Sequence, residues 1–364
     1  MNRRTLLERA SVFAGALAIS GTELAKAEGD WPPRWRTFRV TTEIEVLNPA
    51  GLTRVWGPAA LVQNTPFQKT IYNRVHCETG IARLVRDENK VDLVSAEFPA
   101  GVKPALTVIS EVQTRDWTVN LPADRPRGMR GGSGLSAYLK PTKMLPTDGI
   151  VKARASEITK GTRSDIDKAR AIYDWIVENT YRNPKTRGCG VGDIRFMLES
   201  GDLGGKCADL NALFVGLARA AGLPARDVYG IRLAPSQMGC KSLGISSDDA
   251  TKAQHCRSEV FLDECGWIPV DPADVRKVVL EEPPGHRSLE DGLVKQTRSR
   301  LFGSWEMNWM AYNYAQDVVL PNSSGPPLHF LMYPQAETDE GRLDSLDADH
   351  FQYRIRSVEV NSGA

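Results

Sequence analysis

A cysteine that opens an apolar helix is the feature that most constrains the fold of this chain. Residues Gly204-Gly205-Lys206-Cys207 lead directly into the run ADLNALFVGLARAA at 208–221. Gly222 stands where a C-terminal glycine cap is expected, and Pro224 prevents the helix from continuing. The sequence therefore predicts a helix that begins at Cys207 and ends before Gly222, followed by a strand over residues 225–233.

The position of Cys207 also has chemical consequences. A helix N-terminus presents unpaired backbone N–H groups and a partial positive charge, and both favour a thiolate. The thiolate is the reactive form of cysteine, and nearby N–H groups could hold an oxyanion. A lone cysteine at a helix start is nevertheless more often structural, so Cys207 alone does not indicate a function.

Two further residues make the pattern more specific. His255 precedes an alternating strand at 258–262, and Asp271 ends the return strand at 267–271 after a turn, so the two segments predict a β-hairpin. Antiparallel pairing would bring the two strand ends side by side. The histidine could then share the thiol proton while the carboxylate orients the imidazole. Taken singly, the histidine is explained as an ordinary polar residue and the aspartate as a turn former.

Together these segments resemble the transglutaminase-like superfamily, which belongs to the papain-like group. The similarity covers about residues 150–274 and rests on 171–176 (AIYDWI), 205–210 (GKCADL), 217–226 (LARAAGLPAR), His255, 259–262 (EVFL) and 266–272 (GWIPVDP). The resemblance implies that Cys207 is the nucleophile, His255 the acid/base and Asp271 the orienting carboxylate. It further implies acyl transfer through a thioester, with hydrolysis favoured over transfer to an amine.

The sequence departs from that family where many members carry an aromatic residue shortly after the histidine. Here Cys256 and Arg257 follow, so the resemblance does not identify the residues that form the wall of the substrate channel. Cys256 is also a candidate for redox modulation of the site. For the oxyanion, the backbone N–H of Cys207 is the favoured donor, and Tyr181 is a weaker side-chain candidate.

The flanking patterns predict an α+β fold with three parts. Residues 33–122 read as an N-terminal antiparallel β-sandwich-like domain, residues 145–280 as the transglutaminase-like core, and residues 281–364 as a C-terminal extension packed on the core. Alternating or apolar runs predict strands at 38–46, 59–62, 71–75, 91–98, 106–112, 117–121 and 351–355. Helices are expected at 148–160 and after Ser164, and residues 125–136 are expected to form a linker.

The N-terminus predicts an exported protein. Arg3 and Arg4 precede a short apolar stretch and the small-residue signal Ala25-Lys26-Ala27, so residues 1–27 resemble a twin-arginine signal peptide, with an ordinary secretory signal as the alternative. We expect a periplasmic or otherwise exported protein without a stable membrane span after cleavage. The net charge of +1 provides no field for nucleic acid, which we exclude as a partner.

The six cysteines leave their pairing open. If Cys207 stays a thiol, Cys77, Cys189, Cys240, Cys256 and Cys265 could form two bridges with one residue to spare, or could be buried apolar cysteines. A bridge between Cys256 and Cys265 would close the hairpin. Neither a Cys-x-x-Cys nor a His-x-x-x-His pair is present, so we expect no metal and no cofactor.

Two functions of different classes remain after this reasoning. The first is a cysteine peptidase, amidase or acyltransferase whose partner is a peptide or protein substrate, with a cell-wall peptide as one option. The second is a non-catalytic periplasmic binding or scaffold protein on the same fold.

Overall fold

The apolar helix predicted at Cys207 forms the centre of the fold. It runs from Cys207 to Ala220 as α4, and every residue in it is buried. Gly222 has a φ of +86°, and the N–H of Leu223 bonds back to the carbonyl of Ala218 at 2.9 Å. This left-handed closure is the predicted glycine cap. Both predicted ends of the helix are therefore confirmed.

The structure is a computed structural model that describes residues 34–86, 91–121, 134–263 and 265–360. The helices in these ranges are α1 (Gly149–Ile158), α2 (Asp165–Asn179), α3 (Ile194–Ser200), α4 (Cys207–Ala220), α5 (Pro272–Glu281) and α6 (Gly292–Arg300). None of the helices described is long and apolar enough to cross a membrane. The predicted signal peptide at 1–27 and residues 125–133 of the predicted linker lie outside the described residues.

The strands follow the same chain order. They are β1 (Arg36–Val46), β2 (Thr53–Pro58), β3 (Gln68–His76), β4 (Ile81–Arg86), β5 (Asp92–Phe98), β6 (Ala105–Thr114), β7 (Trp117–Thr118), β8 (Tyr181–Arg182), β9 (Gly204–Gly205), β10 (Ala225–Arg232), β11 (Gln254–Leu262), β12 (Gly266–Val270), β13 (Ser304–Trp305), β14 (Trp309–Asn313), β15 (Gln316–Val318), β16 (Leu328–Phe330), β17 (Gln335–Thr338), β18 (Gly341–Arg342) and β19 (Phe351–Val360).

One antiparallel sheet supports the central helix. Its strand order is β12-β11-β10-β14, and α4 packs on β10 and β11 while α2 and α5 pack on α4. The predicted hairpin is the β11–β12 pair, in which Leu262 lies opposite Gly266 and Ser258 opposite Val270. Helices on one side of an antiparallel sheet confirm the predicted α+β class.

Two further sheets, of four and five strands, form the predicted β-sandwich. Their strand orders are β19-β1-β6-β3 and β18-β17-β2-β5-β4. The alternation predicted for the first strand is confirmed, because Phe38, Val40, Ile44 and Val46 are buried in β1. Side chains from both sheets share one apolar cluster, which is the usual core of a sandwich.

The C-terminal residues contribute strands to all three sheets. β19 pairs with β1 over ten residues, from Thr37 opposite Val360 to Val46 opposite Phe351. β17 pairs with β2, and β14 pairs with β10 of the central sheet. The described residues belong to one compact unit. The three-part domain division stays a prediction.

The strand predicted at 59–62 is wrong. The strand in this region is β2, which ends at Pro58, and Ala59, Ala60 and Leu61 after it lie in a buried loop. The Asn73 side chain satisfies this loop by accepting from the N–H of Ala60 at 3.1 Å and donating to its carbonyl at 2.9 Å. The apolar run therefore indicated burial for its first three residues, whereas Val62 is 46% exposed.

Of the two alternatives left open for the cysteines, disulfides or unpaired thiols, the structure has unpaired thiols at Cys77, Cys189, Cys207, Cys240 and Cys256. Cys265 lies in the hairpin turn, its N–H bonded to Leu262, whereas Cys256 lies six residues before Leu262 along β11. At roughly 3.3 Å per residue that separation is on the order of 20 Å, and a disulfide needs Cα atoms about 6 Å apart.

Candidate active site

The three residues singled out by the sequence meet at the contact between α4 and the central sheet. Cys207 is the first residue of α4, His255 lies on β11, and Asp271 directly follows β12. The Cys207 thiol hydrogen-bonds to the His255 side chain. His255 Nε2 lies 2.8 Å from Asp271 Oδ2, so the other ring nitrogen is the one left for the sulfur. The structure thus brings all three together in the order that nucleophilic catalysis requires.

Asp271 is held in place by the start of a helix. It is the N-cap of α5, and its Oδ1 accepts from the Asp274 N–H at 3.1 Å and from Asn211 Nδ2 at 3.3 Å. Its other oxygen remains for the histidine. The sequence reasoning used Pro272 only as the end of the hairpin and did not predict α5. An aspartate followed by proline is nonetheless a typical helix start, so a signal was present.

That helix carries a second carboxylate back to the histidine. Asp274 Oδ2 lies 3.4 Å from His255 Nε2, and its Oδ1 accepts from Arg232 Nη2 at 2.6 Å. Arg257 Nε lies 3.7 Å from Asp271 Oδ2. All these side chains are buried. Sequence reasoning identified neither Asp274 nor Arg232 as part of the site.

The carboxylates determine the charge on the histidine. Burial and the Arg232 charge lower the pKa of His255, but Asp274 and Asp271 outweigh them and raise it to about 9. Hydrogen bonds from Cys189, Cys256 and His255, with the charge of His255, hold the pKa of Cys207 well below its usual range despite burial. Both shifts favour a thiolate at Cys207 facing an imidazolium at His255.

A glycine-rich loop places another cysteine against Cys207. The Ala208 N–H donates to the Cys189 carbonyl at 2.9 Å, and the Cys189 thiol hydrogen-bonds to the Cys207 sulfur. Asp209 fastens the loop, because its Oδ1 accepts from the N–H groups of Val191 and Gly192 at 2.9 Å each. A Cβ at Gly190 would lie 1.9 Å from Asp209 Oδ2, so only glycine allows this approach. Sequence reasoning assigned no role to Cys189 or Asp209.

Tyr181, the side chain proposed as an oxyanion donor, is engaged elsewhere. Its ring lies over Gly204, but its hydroxyl donates to Asp202 Oδ1 at 2.8 Å, and the side chain is 45% exposed. The Cys207 N–H, at the first position of α4, has no acceptor within the helix. It remains the better placed of the two donors.

Aromatic residues from the C-terminal part of the chain support the histidine strand. Trp309 Nε1 donates to the His255 carbonyl at 2.9 Å. The Arg257 guanidinium lies 4.8 Å from the Trp309 ring and 5.4 Å from the Trp305 ring, and its Nη1 donates to the Glu306 carbonyl at 2.8 Å. Arg257 therefore points into a buried aromatic cluster beneath the site.

His255, Asp271 and Asp274 are also the residues that could hold a metal ion. Their ligand atoms lie within 4.8 Å of one another. The donor set of one imidazole and two carboxylates would suit a divalent cation. Arg232 is already bonded to Asp274, however, and Arg257 lies near Asp271. Two guanidiniums beside the carboxylates oppose a third cation, so the residues fit an ion-pair network better than a metal site.

Comparisons with known proteins identify the family of the core and the fold. Residues 152–272 match the core-domain model of the transglutaminase-like superfamily. An uncharacterized protein of Haemophilus influenzae is 35% identical over 367 residues, which cover 95% of this chain and 96% of that protein. A candidate cysteine protease from Cytophaga hutchinsonii, 13% identical, has a similar structure with a TM-score of 0.58, covering 91% of this chain and 93% of that one.

A more distant likeness is to the periplasmic domain of TgpA from Pseudomonas aeruginosa bound to ethylmercury. It is 18% identical, with a TM-score of 0.33, and covers 65% of this chain and 89% of that one. The matched core contains Cys207, His255 and Asp271. On this match the chain contains a core domain of the transglutaminase-like superfamily, and it shares its fold over nine-tenths of its length with the Cytophaga hutchinsonii protein.

Proposed function

We propose that this protein is a cysteine-dependent acyl-transfer enzyme that hydrolyses peptide or carboxamide bonds through a thioester. The observation that carries the proposal is the unbroken series of contacts from the Cys207 thiol to His255 and from His255 Nε2 to Asp271 Oδ2 at 2.8 Å. Burying three ionisable side chains in mutual contact is costly for stability. Such a cluster is therefore typical of a functional site.

The proposed first step forms the thioester. The Cys207 thiolate attacks the substrate carbonyl carbon, and the Cys207 N–H stabilises the resulting oxyanion. His255 donates its proton to the leaving nitrogen as the C–N bond breaks. Asp271 accepts a hydrogen bond from the imidazole throughout, which keeps the ring oriented.

The second step releases the acyl group. Neutral His255 takes a proton from water while the water oxygen attacks the thioester carbon, and the C–S bond breaks to regenerate the thiolate. An amine in place of water would give cross-linking. We favour water, because Cys207 and His255 are each only 4% exposed and a small acceptor reaches such a site more easily than a lysine on a folded protein.

The test is turnover of a labelled peptide library that includes cell-wall stem peptides, measured with the wild type and Cys207→Ala. We expect cleavage by the wild type only, and an acyl adduct on Cys207 in acid-quenched mixtures analysed by mass spectrometry. Adding a primary amine should not redirect most of the product if hydrolysis dominates. Equal turnover by Cys207→Ala would refute the proposal, and binding without turnover by either protein would favour a scaffold role.

We also propose that the enzyme acts after export. The support is the N-terminal sequence, with Arg3, Arg4 and the Ala25-Lys26-Ala27 motif. Cell fractionation with N-terminal sequencing should recover a chain that begins after Ala27 outside the cytoplasm. Replacing both arginines by lysine should retain the precursor inside if the twin-arginine route is used, and unchanged export would indicate the ordinary secretory route.

A further inference from the structure

We infer that Asp274 is a positioning residue for the proposed reaction, a second carboxylate that keeps His255 protonated beside Cys207. The inference rests on the proposed function, since it concerns the same histidine. It adds a residue that lies outside the matched superfamily core, which ends at residue 272.

The geometry gives His255 Nε2 two acceptors. Asp271 Oδ2 lies at 2.8 Å and Asp274 Oδ2 at 3.4 Å. The helix start makes this possible, because Asp274 is the third residue of α5 and its N–H is bonded to the Asp271 cap. One turn of helix thus directs both carboxylates at the same imidazole edge.

The surrounding charges show why two carboxylates need the imidazolium. Arg232 on β10 fully engages Asp274 Oδ1, at 2.6 Å. Arg257 on β11 is a weaker partner for Asp271, since its Nε stands 3.7 Å away without a hydrogen bond and its Nη1 is committed to the Glu306 carbonyl. Guanidinium charge therefore compensates the two carboxylates only in part. The positive charge that completes the cluster is the one on His255.

The remaining ionisable groups around His255 have opposing effects. On α4 the Cys207 thiolate faces the imidazole. On α5 burial lowers the pKa of Lys277 to about 8, and this residue lies near enough to Asp274 and Arg232 to interact with both charges. After Asp271, Asp274 is the carboxylate nearest to His255. Removing the Asp274 charge should therefore change the titration of His255 directly.

A purely structural role for the Asp274–Arg232 pair makes a different prediction. Glu259 is a matched control, because it is a buried carboxylate on the same sheet, paired with Arg226 at 2.5 Å. If Asp274 only neutralises Arg232, then Asp274→Asn and Glu259→Gln should both lower stability and leave His255 unchanged. If Asp274 positions the imidazolium, only Asp274→Asn should alter the titration of His255.

The experiment is an NMR titration of the folded protein labelled with ¹³C-histidine. The chain has five histidines, so the His255 signal can be assigned by its loss in His255→Gln. We expect Asp274→Asn to lower the pKa of His255 by about one pH unit or more, a tenfold change in its protonation equilibrium. In Asp274→Asn, the pH range over which iodoacetamide labels Cys207 should also become narrower. In Glu259→Gln, both the pKa of His255 and the labelling of Cys207 should match the wild type.

A second variant keeps the test decisive if Asp274→Asn does not fold. Asp274→Asn combined with Arg232→Gln removes both partners of the buried pair, and the pKa of His255 should be lower in this double variant than in Arg232→Gln alone. An equal pKa of His255 in these two proteins, or an unchanged one in folded Asp274→Asn, would overturn the inference. Because the titration needs no substrate, its failure is distinguishable from a failure to find Cys207-dependent turnover.

Discussion

The sandwich sheets and the active site use charged residues in opposite ways. In the sandwich, Arg39 pairs with Glu111 at 2.9 Å across two strands, and the arginine side chain is 51% exposed. At the site, Arg232 pairs with Asp274 at 2.6 Å, and the arginine side chain is 3% exposed. Exposed ion pairs contribute little to stability. Loss of one partner of a buried ion pair, in contrast, strongly destabilises the fold because the other charge is left buried and unpaired.

This contrast supports the proposed position of the active site. In the sandwich, the Arg39 side chain is half exposed, so its loss leaves Glu111 partly solvated and still bonded to the Tyr72 hydroxyl at 3.1 Å. The site instead joins Arg232, Asp274, His255, Asp271 and Arg257 into one buried series. A fold has no structural need for such a series, since apolar residues of similar volume are often as stable or more stable.

The largest effect is expected on catalysis. Asp271→Asn should reduce Cys207-dependent turnover by about 100-fold to 1000-fold, because the amide cannot hold the imidazolium. The loss should be smaller than for an enzyme with a single orienting carboxylate, since Asp274 remains near His255. Steady-state kinetics of folded protein measure it, with the sandwich variant Asp92→Asn as the control. Equal activity of Asp271→Asn and Asp92→Asn would mean that the carboxylate at the site contributes no more to catalysis than the one in the sandwich.

The next effect is on stability. Arg232→Met should lower the free energy of unfolding by about 3–5 kcal/mol, because Asp274 would be left buried without its main partner. Urea denaturation followed by tryptophan fluorescence measures the loss. A change no larger than that of a sandwich pair would mean that the buried series tolerates disruption and is not tightly coupled.

The third effect is on the pH dependence of stability. The folded state raises the pKa of His255 from 6.5 to about 9, so protonated His255 stabilises the fold below pH 6.5, and this contribution is lost as the pH rises through 9. It amounts to about 3 kcal/mol. Unfolding measured from pH 6 to 10 should show the fall. His255→Gln should flatten it, and an identical slope in this variant would assign the fall to other groups.

The smallest effect is expected in the sandwich. Arg39→Ala should change the melting temperature by at most about 1 °C, because the pair with Glu111 is solvated. Calorimetry at low and moderate salt is sufficient. A drop comparable to that of Arg232→Met would show that exposure does not distinguish the two regions.

Much of the local structure was predictable from the sequence. A sequence pattern of a few residues determines each of three features: the alternation of β1, the Ser164 cap of α2 and the glycine end of α4. The capping box at Ser164 is complete, with bonds of 3.1 and 3.2 Å to Asp167. Cys207, His255 and Asp271 could be selected because each lies at an element end that the pattern defines.

Long-range arrangements could not be predicted in the same way. β19 pairs with β1 although more than 300 residues separate them, and no local pattern encodes that register. Cys189 reaches Cys207 through a loop fixed by Asp209, which reads as an ordinary helix-start aspartate in the sequence. Arg232 meets Asp274 only because β10 and α5 converge on α4, which is a property of packing rather than of spacing.

If His255 keeps Cys207 ionised, then the rate of Cys207 alkylation must depend on the histidine. The wild type and His255→Ala would be treated with iodoacetamide from pH 5 to 9, with labelling quantified by mass spectrometry at Cys207 and at the partly exposed Cys77 as an internal reference. We predict that Cys207 reacts faster than Cys77 at neutral pH and slows markedly in His255→Ala. Equal rates of Cys207 alkylation in the wild type and His255→Ala from pH 5 to 9 would show that His255 does not keep Cys207 ionised.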